Sequence, residues 1–255
     1  MPLVFTPLLG IPLIKKGDNL PQIIFDSLPV NKIVLEDEDI LVITQKIISK
    51  SEGRLVNLNE IIASERAKNL SKVTSKDPRL IELILQESKE VIRATEKHLI
   101  VEHRLGFICA NAGIDHSNVF CEEGNPDDFY LLLPENPDRS ANRFRNRIKK
   151  ITGKNTGILV IDSHGRAWRN GILGTTIGLA GVPGLVDLRG KEDLFGYKLR
   201  ISQVAAADEL AASASLLMGQ ANEKIPVVHV RGFPYPLRKS SLKELIRRKE
   251  KDLFR

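Results

Sequence analysis

The chain has 255 residues, 42% hydrophobic and 27% charged, which suits one large domain or two small ones sharing a core and argues against intrinsic disorder. No apolar run approaches the roughly 20 residues that span a bilayer, and residues 1–7 lack the basic and long apolar regions of a secretory signal. A net charge of +6 points to anionic partners, but aromatics at 5% supply few base-stacking side chains, which favours small phosphorylated ligands over nucleic acid.

In chain order, Asp39-Ile40-Leu41-Val42-Ile43-Thr44 is short, apolar and β-branched and predicts a buried strand. It runs into the polar stretch Gln45-Lys46-Ile47-Ile48-Ser49-Lys50-Ser51-Glu52-Gly53-Arg54. The cations there suit a triphosphate, with Lys50 the favoured phosphate ligand, or else the stretch is a solvated connector. Residues 77–94 carry Leu80, Leu83, Ile84 and Val91 on one helical stripe after Asp77-Pro78. Phe107-Ile108-Cys109-Ala110 predicts another strand, delivering the chain to Asn111-Ala112-Gly113-Ile114-Asp115-His116-Ser117-Asn118. Carboxylate and amide oxygens in that cluster suit a hard cation such as magnesium, and they equally suit an Asx turn at a strand end. Cys109 and Cys121 read as free thiols of a reducing cytoplasm, since a chain of this size needs no disulfide staple.

Residues 139–150 predict a basic amphipathic helix started by Asn136-Pro137-Asp138, and 157–161 predict the clearest buried strand, with Asp162 at its carboxyl end. Ligands of α/β sheets gather outside such strand ends. Asp162 and Ser163 offer oxygens for a cation, and Arg166 and Arg169 offer forks for phosphate; an Asp–Arg ion pair capping a turn is the plainer alternative. Six glycines between 171 and 190 imply tight turns or close backbone contacts. Residues 205–218 predict a helix burying Leu210, Ala214 and Leu217; 227–230 predict a strand; and 238–255 predict an amphipathic terminal helix. Strands and helices interspersed in this way favour an α/β (α+β) fold. The P-loop, the dinucleotide-binding glycine pattern, the kinase signatures and the usual metal-histidine spacings are all missing from the sequence. His116 and His164 draw notice only because each lies close in sequence to a candidate aspartate.

Taken together and in this order, several segments resemble the coenzyme F-420-0:L-glutamate ligase (gamma-glutamyl ligase) family. They are Gly10-Ile11-Pro12-Leu13-Ile14, the 45–54 stretch, Asn111-Ala112-Gly113-Ile114-Asp115 with Ser117-Asn118, Leu132-Leu133-Pro134 with Pro137-Asp138, Asp162-Ser163 with Gly165-Arg166 and Arg169, Ala207-Asp208-Glu209-Leu210-Ala211, and Met218-Gly219-Gln220 with Ile225-Pro226. The resemblance implies mixed sheets with flanking helices in an intertwined homodimer, with residues 1–237 as the ligase unit, two interleaved subdomains being allowed. It implies a GTP-dependent ligase of L-glutamate and coenzyme F-420-0, with two magnesium or manganese sites and stimulation by potassium, and without nucleic-acid or membrane partners. Another acceptor, such as a folate, is the alternative within the class. Carried over by motif, Asp115 and Asp162 correspond to ligands of one metal, and Ser163 and Gln220 to ligands of the second. Family members often have Thr where Ser163 stands and some have Glu where Gln220 stands, so the neutral amide brings less charge to the cation. Ile11, Pro12, Leu13, Ile14, Gln45, Lys46, Lys50, Asn118, Met218, Gly219, Gln220, Ala221, Asn222, Glu223, Lys224 and Ile225 correspond to nucleotide contacts, the hydrophobic ones through backbone groups. No residue is assigned as the general base.

Overall fold

The computed structural model describes residues 2–119 and 124–252; Cys121 lies outside the described residues. The strands are β1 (Val4–Pro7), β2 (Ile40–Thr44), β3 (Leu55–Asn57), β4 (Ser88–Ala94), β5 (Leu99–His103), β6 (Ile108–Ala110), β7 (Phe129–Leu131), β8 (Gly157–Arg166), β9 (Arg169–Ala180), β10 (Val186–Asp187), β11 (Gln203–Val204) and β12 (Val227–Arg231). The α-helices are α1 (Leu20–Ser27), α2 (Gln45–Ser51), α3 (Glu65–Thr74), α4 (Pro78–Gln86), α5 (Pro137–Thr152) and α6 (Ala206–Met218). A mixed α/β architecture follows, as the interspersed patterns predict.

The central sheet has the order β1-β12-β2-β8-β9. β2 and β8 are parallel, Ile40 opposite Gly157 and Thr44 opposite Ile161, while β12 runs antiparallel to both β1 and β2. Strand β2 and the first half of β8 are buried on both faces, which is why they are continuous apolar runs and not alternating ones. One face packs Leu41, Ile43, Ile158 and Val160 against Phe144 and Ile148 of α5. The other packs Val42, Leu159 and Ile161 against Leu210, Ala211 and Ala214 of α6. Residues 55–131 carry a separate three-stranded sheet, β4-β5-β6, and the β3-β7 pair, with its own core of Ile81, Ile84, Leu99 and Val101.

Two glycines of the 171–190 stretch mark close contacts inside β9. A Cβ on Gly174 would collide with the Ala211 carbonyl of α6, and one on Gly178 with Pro137 at the start of α5. Both helices therefore sit tight on β9, and α6 delivers its C-terminal end beside β8.

Four expectations change. The helix expected over 77–94 ends at Gln86, and 88–94 is strand β4. Glu87 marks the break: its carbonyl accepts the Arg104 N–H (2.9 Å), and its carboxylate accepts from Arg54 Nη2 (2.9 Å) and Arg104 Nε (2.8 Å). Burial alone would raise the Glu87 pKa, but the His103 ring and the two guanidinium groups outweigh it and hold it at about 2. Second, Leu217 lies at the edge of the α6 stripe and is exposed, whereas Ala207, Ala211 and Met218 are buried. Third, α2 is a partly buried helix and not a solvated connector. Fourth, in place of a helix over 238–255, the described residues to 252 hold only 3-10 turns at Leu242–Glu244 and Lys249–Lys251. The tail's polar groups are spent on the body of the protein: Leu242 N–H donates to the Asp138 carboxylate (3.0 Å) and Arg238 pairs with Glu244 (2.7 Å), whose carboxylate also accepts Gly184 N–H (3.2 Å).

Candidate active site

The carboxyl ends of β1, β2 and β8 and the start of β12 lie at one edge of the sheet, because β1 and β2 both oppose β12 and β2 parallels β8. The segments leaving that edge are those the sequence singles out: 8–19 after β1, α2 after β2, Asp162-Ser163 within β8, and 219–226 before β12. Thr44 N–H donates to Pro226 O (3.0 Å), and Leu8 N–H to Val227 O (2.9 Å), so the strand ends are cross-tied.

Asp115 reaches this edge from the 55–131 unit. It bridges Leu131 through both backbone groups, at 2.9 and 2.8 Å. The 3-10 turn before it holds Asn111 and Ala112 at positive φ (51° and 53°), and Gly113 at 64° has Leu133 packed where a Cβ would stand. The turn thus aims the Asp115 side chain at the first turn of α2, where it meets two consecutive residues. Gln45 Nε2 donates to Asp115 Oδ2 (2.7 Å), and Lys46 Nζ lies 3.5 Å from Oδ1. Ser49, one turn on, donates its hydroxyl to Gln45 Oε1 (2.8 Å), which fixes the amide so that its N–H2 faces the carboxylate. Lys46 Nζ also donates to Ser117 O (3.1 Å) and Oγ (3.0 Å), and Lys50 Nζ to Asn118 O (2.8 Å).

Asn118, at φ 56°, donates from Nδ2 to Ala221 O (3.0 Å), tying the Asp115 loop to the 219–226 segment. Ser163 Oγ donates to Gln220 Oε1 (2.9 Å). Glu223 folds back on the same segment and accepts Ala221 N–H (2.8 Å). Met218 is buried, Asn222 and Lys224 are exposed and Ile225 is half-buried. Ile14 is buried in the core cluster that holds Ile47 and Ile48 of α2, Ile11 packs at its margin, Pro12 and Leu13 are exposed, and Gly17 N–H donates to Ser51 O (2.9 Å).

Burial first, and then the nearby Asp162 carboxylate, push the Asp115 pKa up to about 6 against the pull of Lys46 and Gln45. Lys50 is lowered by burial and by repulsion from Lys46. Cys109, buried beneath, is pushed up to about 12 by desolvation and by Asp162, so it is an inert thiol. The Asp115 and Asp162 carboxylates, a hydroxyl and an amide oxygen form the donor set that a hard divalent cation takes. Among the described residues no three His, Cys, Asp or Glu side chains form a ready metal cluster.

Not every expected residue gathers here. Arg166 and Arg169 pair with each other across the tip of the β8–β9 hairpin, and Arg166 donates to Asn170 O (3.0 Å). That tip is four residues past Asp162, about 13 Å along an extended strand. His116 turns away, stacked on Tyr130 with Nδ1 3.1 Å from Phe129 O. Gln45 does gather here, fully buried, with its side chain bonded to Asp115 and Ser49. Sequence reasoning missed Arg54, Glu87 and Arg104 as one ionic group; no spacing links positions 54, 87 and 104.

The family model described as F420-0:Gamma-glutamyl ligase matches residues 9–232. The chain belongs to this family. Relatives named Coenzyme F420:L-glutamate ligase include one from Methanocaldococcus jannaschii, 42% identical over 97% of this chain and 95% of the relative. One from Methanococcus maripaludis is 46% identical over 87% and 86%, and one from Methanothermobacter thermautotrophicus is 42% identical over 96% of each. Within this chain, the Gln45–Asp115 bond is testable alone. Gln45→Leu removes a hydrogen bond to a charged group, about 1.5–3 kcal/mol, and at roughly 2–4 °C per kcal/mol for this size the midpoint should fall by about 3–12 °C. Thermal denaturation at pH 8 checks it, and an unchanged midpoint would show that the bond contributes nothing.

Proposed function

We propose that this chain is a GTP-dependent ligase that adds L-glutamate to coenzyme F-420-0 through an acyl phosphate. The observation carrying the proposal is the meeting of Asp115 and Asp162 with Lys46 and Lys50 at the carboxyl edge of the sheet, in a chain 42% identical to relatives bearing the ligase name. A carboxylate is a poor electrophile. Its oxygen attacks the γ-phosphorus of GTP, the β–γ bond breaks and GDP leaves; the glutamate amine then attacks the acyl carbon, inorganic phosphate leaves and the amine proton passes to solvent.

Both steps crowd negative charge. Asp115 and Asp162 would hold one magnesium or manganese ion and Ser163 and Gln220 a second, with phosphate oxygens or water completing the shells; Gln45 keeps Asp115 oriented. Bound there, such cations screen phosphate charge and polarise the phosphoryl group. Lys46 and Lys50 neutralise phosphate oxygens, and the exposed backbone of 11–13 and 219–224 packs the nucleotide. The resemblance of the motifs supports potassium as an activator.

A homodimer completes the proposal. The segment between β10 and β11 exposes Leu194 (97%), Phe195 (94%), Ile201 (88%) and Tyr197, an apolar stretch suited to a second copy. Leu194→Asp with Phe195→Asp should weaken self-association about 100-fold or more, from roughly 1.5–3 kcal/mol per buried side chain. Sedimentation equilibrium reads this, and a monomeric unaltered protein would remove the dimer.

The activity test combines purified protein, coenzyme F-420-0, GTP, L-glutamate and manganese. Elongated product with phosphate release that requires both glutamate and acceptor is the expected result. Turnover with a folate but not with coenzyme F-420-0 would replace the acceptor. Phosphate release independent of glutamate would end the ligase reading.

A further inference from the structure

Asp162 is not a bare carboxylate. His164, two residues on and on the same face of β8, places Nε2 3.0 Å from Asp162 Oδ2. An ionised carboxylate only accepts, so Nε2 carries the hydrogen. The His164 ring is tilted at 47° on Phe107 with centroids 5.2 Å apart, and Phe107 stacks on His103 at 5.1 Å and 5°. His103 is fully buried. Its Nδ1 accepts Leu105 N–H (3.0 Å), which puts its own hydrogen on Nε2, 3.6 Å from Glu87 Oε2. Glu87 is in turn held by Arg54 and Arg104. A row of fixed side chains thus runs from the 55–131 unit, which supplies Asp115, to the main sheet, which supplies Asp162.

We propose that His164 is a positioning residue: its Nε2–H clamps one oxygen of Asp162 and leaves the other for the cation, while the Phe107–His103 stack sets the ring and with it the spacing of the two aspartates. This rests on the reading that Asp162 holds a divalent cation. Buried imidazoles that orient a metal-binding carboxylate act through such a hydrogen bond, and losing the partner costs about 10- to 100-fold in metal affinity.

The test is manganese binding by the full-length protein with GTP, counted by electron paramagnetic resonance, beside thermal denaturation. His164→Ala should weaken manganese by about 10- to 100-fold with little change in midpoint. His164→Gln, whose terminal N–H2 reaches nearly as far as Nε2, should recover most of the affinity. Electron spin-echo modulation of the unaltered complex should show no directly bound nitrogen from His164. Unchanged affinity in His164→Ala, or a glutamine variant as weak as alanine, overturns the clamp. A nitrogen modulation that disappears in His164→Ala makes His164 a ligand and also overturns it. Asp162→Asn separates the two layers: if it loses manganese while His164→Ala does not, only the clamp fails, whereas no manganese binding by the unaltered protein removes the cation reading and the clamp together.

Discussion

Asp162→Asn is expected to lower turnover about 10³-fold, close to 4 kcal/mol of transition-state stabilisation, and to leave the melting temperature unchanged or slightly raised. The two halves of that expectation have one cause. The Asp162 charge lies near enough to Asp115 to penalise its charged form, and burial magnifies the penalty. Without a cation the pair is a local cost to the folded state, so removing one charge relieves it. In the reaction the same pair is what gathers positive charge beneath the phosphates, and an amide oxygen in place of the anion surrenders most of that attraction. Asn keeps the size of the side chain and can still meet His164. The measurement is phosphate release dependent on acceptor and glutamate, with thermal denaturation of the same sample. Turnover within tenfold of the unaltered protein would take the metal role away from Asp162, and a large fall in midpoint would mean that its role is structural.

The second large effect lies at the opposite end of β2. Asp39 is only 2% exposed. It accepts Arg231 Nε (2.8 Å) and Nη2 (2.7 Å) and Glu36 N–H (2.8 Å), and His229 Nε2 lies 2.9 Å away. The carboxylate therefore rivets β12 to β2 while its backbone carbonyl accepts Gly157 N–H at the head of β8 (2.8 Å). Burial alone would raise its pKa, but the Arg231 fork, the His229 ring and the Glu36 N–H hold it far below the usual carboxylate range. Removing one partner of a buried pair costs about 3–5 kcal/mol, because the other charge is left uncompensated. At roughly 2–4 °C per kcal/mol, Asp39→Ala should lower the melting temperature by about 6–20 °C. The sign with pH follows from the depressed value. The charged form stabilises the fold above the unfolded pKa of about 3.9, and that stabilisation fades as pH falls toward the folded value. The gap between the unaltered protein and Asp39→Asn should be full at pH 7 and should shrink below about pH 4. A midpoint shift under 2 °C at pH 7 would show that the cluster is stabilised elsewhere. Because Asp39 lies a full strand length from Asp162, catalytic constants of the folded variant at low temperature should not move.

Strand β2 and the first half of β8 were legible because a strand covered on both faces must be apolar at every position, and such runs are short and unambiguous. Helix α5 was legible from its Asn136 cap, whose side chain accepts Arg139 N–H (2.9 Å), and from the apolar stripe ending in Ile148. Residues 88–94 and the tail both mix charged and apolar residues compatible with a helix, but the backbone of 88–94 pairs with the neighbouring strand β5 and the tail's Leu242 N–H is claimed by Asp138, far back in the chain. The arginines of the 166–169 turn were placed near phosphate because they are near Asp162 in sequence, but a strand separates what a helix would gather.

By itself the sequence determined the family, the strands of the buried sheet and the identity of the polar residues at their carboxyl ends, since motif chemistry and apolar runs are local properties of the chain. The tertiary structure alone decided that Gln45 serves Asp115, that His164 rather than His116 meets a candidate metal-binding aspartate, and that Arg54, Glu87 and Arg104 form one ionic group. Those pairings join positions from 2 to 70 residues apart through side-chain direction and strand register, and neither quantity exists until the chain has closed on itself.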